Sequence, residues 1–173
     1  MTIVHVISVV FGMGAALISD ILFTFYSEDK KLSSTEIKTL RLLSNIVWIG
    51  LVVIAMSGVG LFLSDIPKYI QSVKFLAKMS ILVVLLVNGY VLHKYIWKHV
   101  IARNFLVSKE KSHMRKLAFA CGAISMLSWI TVCCLGVLDK VSISYGVLMG
   151  GYAVLIIGGV MTALLVEHRE FER

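Results

Sequence analysis

The chain has 173 residues, 58% of them hydrophobic and 16% charged, with a formal net charge of +7. That length suits one domain, and the apolar excess lies in long blocks, which excludes an ordinary soluble core of about half apolar and a quarter charged residues. The positive charges stand between the blocks, where they set membrane orientation; no basic patch interleaved with aromatics points to a nucleic-acid partner.

A helix crossing the roughly 30 Å of bilayer hydrocarbon needs about 20 residues. Five blocks meet that length: residues 2–26, in which Asp20 is the only charge, then 42–64, with no charge, then 75–97, 117–138 and 141–166. The runs are continuous rather than alternating, and a helix satisfies its own backbone polar groups in lipid. The expectation is all-α, a polytopic membrane helix bundle of about five transmembrane helices forming a single domain over 1–173. The first block lacks a Lys/Arg leader and is longer than a signal-peptide core, so it reads as a retained span.

The connections are short. Ser33-Ser34-Thr35-Glu36 reads as a helix start, and the single proline, Pro67, falls between the second and third blocks, where it breaks nothing. Lys94 to Lys116 is the longest polar stretch, and Asp139-Lys140 leaves room only for a tight hairpin. Lys30, Lys31, Lys38 and Arg41 share one side with Lys94, Lys98, Arg103, Lys109, Lys111, Arg115, Lys116, Arg169 and Arg173, against Lys68, Lys74 and Lys140 on the other. This bias predicts the N-terminus outside and the C-terminus in the cytoplasm.

Small residues predict close helix contacts: Gly12, Gly14, Ala15 and Ala16 on the first helix, Gly50, Ser57, Gly58 and Gly60 on the second, and Gly146, Gly150, Gly151, Gly158 and Gly159 on the fifth. Ordinary packing within the bundle is the expected use of these residues. Cys121, Cys133 and Cys134 share one apolar block without a CxxC pair and read as small packing residues.

Polar groups within lipid are costly and are the first candidates for function. They are His5 and Asp20 on the first helix and Lys78 and His93 on the third. Each pair is separated by fifteen residues, a net rotation of about 60° and a rise of about 22 Å. If the two helices are neighbours, His5 meets Lys78 at the outer end and Asp20 meets His93 at the inner end. Two alternatives stand beside this: Lys78 snorkels outward, and His5 is an interfacial residue. Asp20 is too short to snorkel and needs a partner or water, for which His93, Asn45 and Asn88 lie at similar depth. Its two readings are a proton relay with His93, the pair assigned here to catalysis, and an internal polar clamp. His99, His113 and His168 fall in or beside cytoplasmic segments, and His168 is placed to approach His93. No Walker loop, GxSxG or HExxH is present, and no residue spacing marks a metal site. Heme is a separate case, because its axial ligands need no local motif.

Three stretches carry a family resemblance: His5-Val-Ile-Ser-Val-Val-Phe-Gly-Met-Gly-Ala-Ala; Asn45-Ile-Val-Trp-Ile-Gly followed by Ser57-Gly-Val-Gly-Leu; and Phe75-Leu-Ala-Lys-Met followed by Asn88-Gly-Tyr-Val-Leu-His93. In this order they resemble the superfamily that includes HemJ-type protoporphyrinogen oxidases and the membrane domain of the copper-resistance protein CopD. Phe11-Gly-Met-Gly stands where that pattern carries a tryptophan, and the second half, including Gly122-Ala-Ile-Ser-Met-Leu-Ser-Trp129, matches no part of it. The resemblance implies a membrane oxidoreductase holding heme b, with His5 as an axial ligand of the heme iron. Lys78 would be a second ligand or a propionate partner, and His93 a further cofactor-binding residue. It also implies a bacterial plasma membrane, and a heme redox role would call for a quinone or other redox partner. Two other functions fit the same residues: a subunit of a homo-oligomer or larger membrane complex, and a proton- or metal-ion-handling transporter.

Overall fold

The apolar blocks fold as helices, and several run past the block ends where a capping side chain permits. The computed structural model describes residues 2–27, 31–100, 106, 112–138 and 142–171. Among these, the helices are α1 (Thr2–Ser27), α2 (Ser34–Ser64), α3 (Ile66–Ile70), α4 (Val73–Val91), α5 (Trp97–Val100), α6 (Ser112–Val137) and α7 (Tyr145–Phe171), with a π-helical turn at Leu92–Ile96 joining α4 to α5. Five segments are long and apolar enough to cross a membrane: α1, α2, the composite Val73–Val100, α6 and α7. The protein is thus an all-α polytopic bundle.

The boundaries differ from the sequence expectation for local reasons. The second span begins at Ser34 rather than at 42, because Ser33 Oγ accepts from Glu36 N at 3.3 Å while Ser33 N donates to Glu36 Oε2 at 2.6 Å. This capping box satisfies two otherwise orphaned donors. With 31 residues, α2 is about 46 Å long, so its first turns extend beyond the hydrocarbon. The third span starts at Val73, capped by Ser72, and continues to Val100 instead of ending at 97. Pro67 sits in the first turn of the short α3, where its missing N–H costs nothing. The fourth span is Ser112–Val137 instead of 117–138. The fifth is Tyr145–Phe171 instead of 141–166, with Ser144 accepting from Val147 N at 3.5 Å. The Asp139-Lys140 hairpin, Val141 and the charges Lys30, Arg103, Lys109, Lys111 and Arg173 lie outside the described residues.

The central helix is α6, against which α1, α4 and α7 pack, while α2 packs mainly on α1. The α1–α2 contact is a backbone contact: a Cβ on Gly50 would come within 2.9 Å of Gly12 Cα. Trp129 of α6 seals the same point, its ring 3.1 Å from where a Gly12 Cβ would be. The α6–α7 seam is tied by Ser128, which donates to Ile124 O at 2.5 Å and accepts from Tyr152 Oη at 2.7 Å.

The glycines of α7 divide. A Cβ on Gly159 would run into Leu127 of α6, but Gly146, Gly150, Gly151 and Gly158 have open space beside them. Those four do not serve close packing within this chain, contrary to the sequence reading. The α7 helix touches its neighbours along one narrow seam and turns the GxxxG face outward.

Arg115, counted among the loop charges in the sequence, lies in the first turns of α6 and is buried. Its Nε donates to Glu167 Oε1 at 2.5 Å, its Nη1 donates to Leu106 O at 3.0 Å, and its guanidinium lies 4.4 Å from the Phe171 ring centroid. Both ionic side chains are enclosed, Arg115 at 4% exposure and Glu167 at 0%. The surrounding core of Leu32, Ile96, Val100, Leu106, Ala118 and Cys121 closes the end of the bundle that holds the C-terminus of α7.

Candidate functional site

A cavity of about 730 Å³ lies within the half of the bundle formed by the C-terminal part of α1, the N-terminal part of α2, the end of the third span, the N-terminal half of α6 and the C-terminal half of α7. Asp20 and His93 are both on its wall. It exists because the helices that enclose it do not all meet: α1 and α7 flank α6 without a substantial contact of their own. Small side chains keep the space open. Gly122 on α6 faces the acid directly, since a Cβ there would lie 3.4 Å from Asp20 Oδ1.

Asp20 Oδ2 is buried and has no hydrogen-bond partner, and the same holds for Trp129 Nε1 on a side chain only 2% exposed. A buried polar atom left unpaired costs on the order of 1–3 kcal/mol, so both atoms on the wall of one cavity mark a place where polar contacts from a guest are favourable. The partners expected for Asp20 are engaged elsewhere. Asn88 is buried and donates to the Cys121 carbonyl at 3.0 Å, which ties the third span to α6. Asn45 is exposed and belongs with Trp48, Ile49 and His93 to a shallow second recess. Among the described residues no hydrogen bond or ion pair joins Asp20 to His93; they share the cavity wall.

His93 is the second residue of the π-helical turn, at whose start the Leu92 N–H is shared between the carbonyls of Asn88 and Gly89. Such turns are rare and recur at functional sites because the extra residue re-aims the side chains that follow. Beside the turn, the Trp48 ring approaches to 3.4 Å of where a Gly89 Cβ would be and meets His93 edge-on, with centroids 6.5 Å apart. His93 is exposed on the side of this recess.

His5 and Lys78 lie toward the other end and are not on the cavity wall. The two do come near each other: the Lys78 ammonium is within electrostatic reach of the His5 ring. Both helices pack on α6, and their side chains share the core cluster around Trp129. His5 Nδ1 is 2.9 Å from Ser57 Oγ, and that hydroxyl donates to Val53 O at 2.6 Å. Its one proton is thereby committed to the helix, so Ser57 accepts from Nδ1–H. In the neutral ring this leaves the Nε2 lone pair available. Lys78 is half-buried, and neighbouring Lys74 reaches the Leu138 carbonyl instead. Among the described residues no group of three or more His, Cys, Asp or Glu is arranged to hold a metal ion.

Sequence reasoning identified Asp20 and His93 but not the α6 and α7 residues that complete their surroundings: Gly122, Trp129 and Thr162. The only signal was a tryptophan and small residues on one apolar block, which does not say what they face. Comparison of the chain with protein-family models, curated proteins and solved structures finds no match to any of them.

Proposed function

We propose that this membrane protein binds a small, largely apolar molecule within the bundle, with Asp20 receiving a hydrogen-bond donor or a positive charge from it. One observation carries the reading: the unpaired, buried Oδ2 of Asp20 stands on the wall of an apolar cavity. A volume near 730 Å³ falls in the range of sites for drug-sized ligands, roughly 300–1,000 Å³. Ala163 of α7 lines the cavity, so Ala163→Phe takes up its space while Asp20 itself is kept. Solvent extracts of wild type and Ala163→Phe, purified in mild detergent and compared by mass spectrometry, test the reading. A small molecule held by wild type in near-stoichiometric amount and lost from the filled variant is expected. Identical extracts from the two proteins exclude the cavity as a binding site.

A second reading is a heme b redox protein in line with the resemblance of the first half of the chain, and the His5–Ser57 bond favours it. A heme-ligating histidine uses one ring nitrogen for iron and has the other oriented by a hydrogen bond; His5 has Nδ1 so held by Ser57. Lys78 supplies the cation that a propionate would need. When bound, heme would supply one-electron redox chemistry, with a quinone as the acceptor to test. The chain would fix the His5 tautomer through Ser57, balance charge through Lys78, and leave proton handling to Asp20 and His93. In this reading the protein shows a Soret band that His5→Ala removes or shifts, while Ser57→Ala weakens retention without abolishing it, by about 10–100-fold for such supporting contacts. A well-folded protein without heme absorbance after expression with ample heme sinks it. A bacterial plasma membrane, with the C-terminus in the cytoplasm, is the setting we propose from the charge bias and the resemblance.

A further inference from the structure

The charge and ring content of the cavity wall narrows the class of guest. Among the described lining residues Asp20 is the one carboxylate, and there is no lysine or arginine. The wall is otherwise apolar and rich in aromatic rings, including Phe23, Trp48, Phe119 and Trp129. A cation is attracted to the face of an aromatic ring, most strongly to tryptophan and where water is excluded. An anionic guest finds no positive side chain there, except for His93 when protonated, and that ring also belongs to the separate recess with Asn45.

Ile21 and Phe25 of α1 and Thr162 and Val166 of α7 line the cavity and are exposed on the outer surface of the bundle. α1 and α7 flank α6 with few contacts of their own, so the cavity wall includes side chains turned to the lipid. A lipid-soluble guest suits a wall of this kind.

The geometry points to a lipophilic organic cation as the ligand: a positively charged nitrogen or phosphorus centre with apolar substituents, its charge set against Asp20 and its substituents among the aromatic rings. This inference rests on the binding reading above and adds the charge of the guest to it. A carboxylate with no partner of its own and a positively charged guest are each costly in an apolar setting, and pairing offsets part of both costs. The indole N–H of Trp129 is left for an acceptor atom on a guest that carries one.

The test uses two ions of nearly equal size and shape and opposite charge, tetraphenylphosphonium and tetraphenylborate, added to the full chain in detergent, with Ala163→Phe as the blank. Saturable 1:1 binding of the phosphonium is expected, with Asp20→Asn weakening it at least 10-fold, Asp20→Glu holding it within a few-fold, and no saturable component for the borate. Equal binding of both ions, or phosphonium binding unchanged in Asp20→Asn, overturns the cation assignment and leaves the cavity as a binding site. If neither ion binds above the blank while wild type retains a co-purifying molecule that the blank lacks, the ligand class is wrong and the site is right. If there is no ion binding and no co-purifying molecule, both readings fail. A monodisperse elution profile is required of each variant, and Asp20→Glu, which keeps the charge, separates loss of charge from loss of fold.

Discussion

Replacing Arg115 with alanine should destabilise the protein by about 3–5 kcal/mol, the cost of leaving one member of a buried ion pair without the other. Glu167 is fully enclosed, one of its oxygens is already unpaired, and the 2.5 Å ion pair with Arg115 is the contact that balances its charge. The substitution also empties space against Phe171 and frees the Leu106 carbonyl. For a chain of this size each kcal/mol moves the unfolding midpoint by about 2–4 °C, so a fall of roughly 10 °C is expected in a thermal scan in detergent followed by tryptophan fluorescence. Glu167→Leu combined with Arg115→Met should recover most of the loss, because a well-packed apolar pair avoids the desolvation cost altogether. A single variant within 1 kcal/mol of wild type, a threshold set by exposed pairs, would show that water reaches this pair. The closed end of the bundle would then be looser than its packing indicates.

The second large effect is expected at Gly50. A Cβ there would meet Gly12 Cα at 2.9 Å, and backbone cannot turn aside as the end of a flexible side chain does. Gly50→Ala should cost about 1–3 kcal/mol, the usual range for overpacking, even though alanine is the better helix former by about 1 kcal/mol. Gly14→Ala is the control on the same seam of sequence, because nothing lies within 4 Å of its Cβ position; it should be neutral or mildly stabilising. Thermal midpoints of the two variants should therefore move in opposite directions or differ by several degrees. If Gly50→Ala is as stable as Gly14→Ala, the α1–α2 approach is not as close as described. Because His5 reaches Ser57 across this interface, pushing the helices apart should also loosen the histidine.

The first and second helices show how much of this could be read from the chain alone. Five spans, their order and the helical start at Ser33 follow from block length and capping chemistry, which are local properties. Asp20 and His93 were visible for the same reason: a polar group in a long apolar run is conspicuous wherever its helix ends up. Spacing anticipated a direct meeting of the two if their helices were neighbours, and the structure gives a shared cavity wall without a hydrogen bond or ion pair between them among the described residues. Arg115 reads in sequence as one more basic loop residue, and Glu167 lies one residue past the expected end of the fifth span; their pairing joins positions 52 residues apart. Likewise the glycines of α7 and α1 look alike in the chain, yet only Gly12 and Gly159 among them are shown to sit tightly against a neighbouring helix. Periodicity and hydropathy report what each helix offers, residue by residue. Which faces meet depends on how five similar apolar cylinders share contacts. In lipid the hydrophobic effect does not choose among those arrangements, so side-chain packing and a few interhelical polar contacts do.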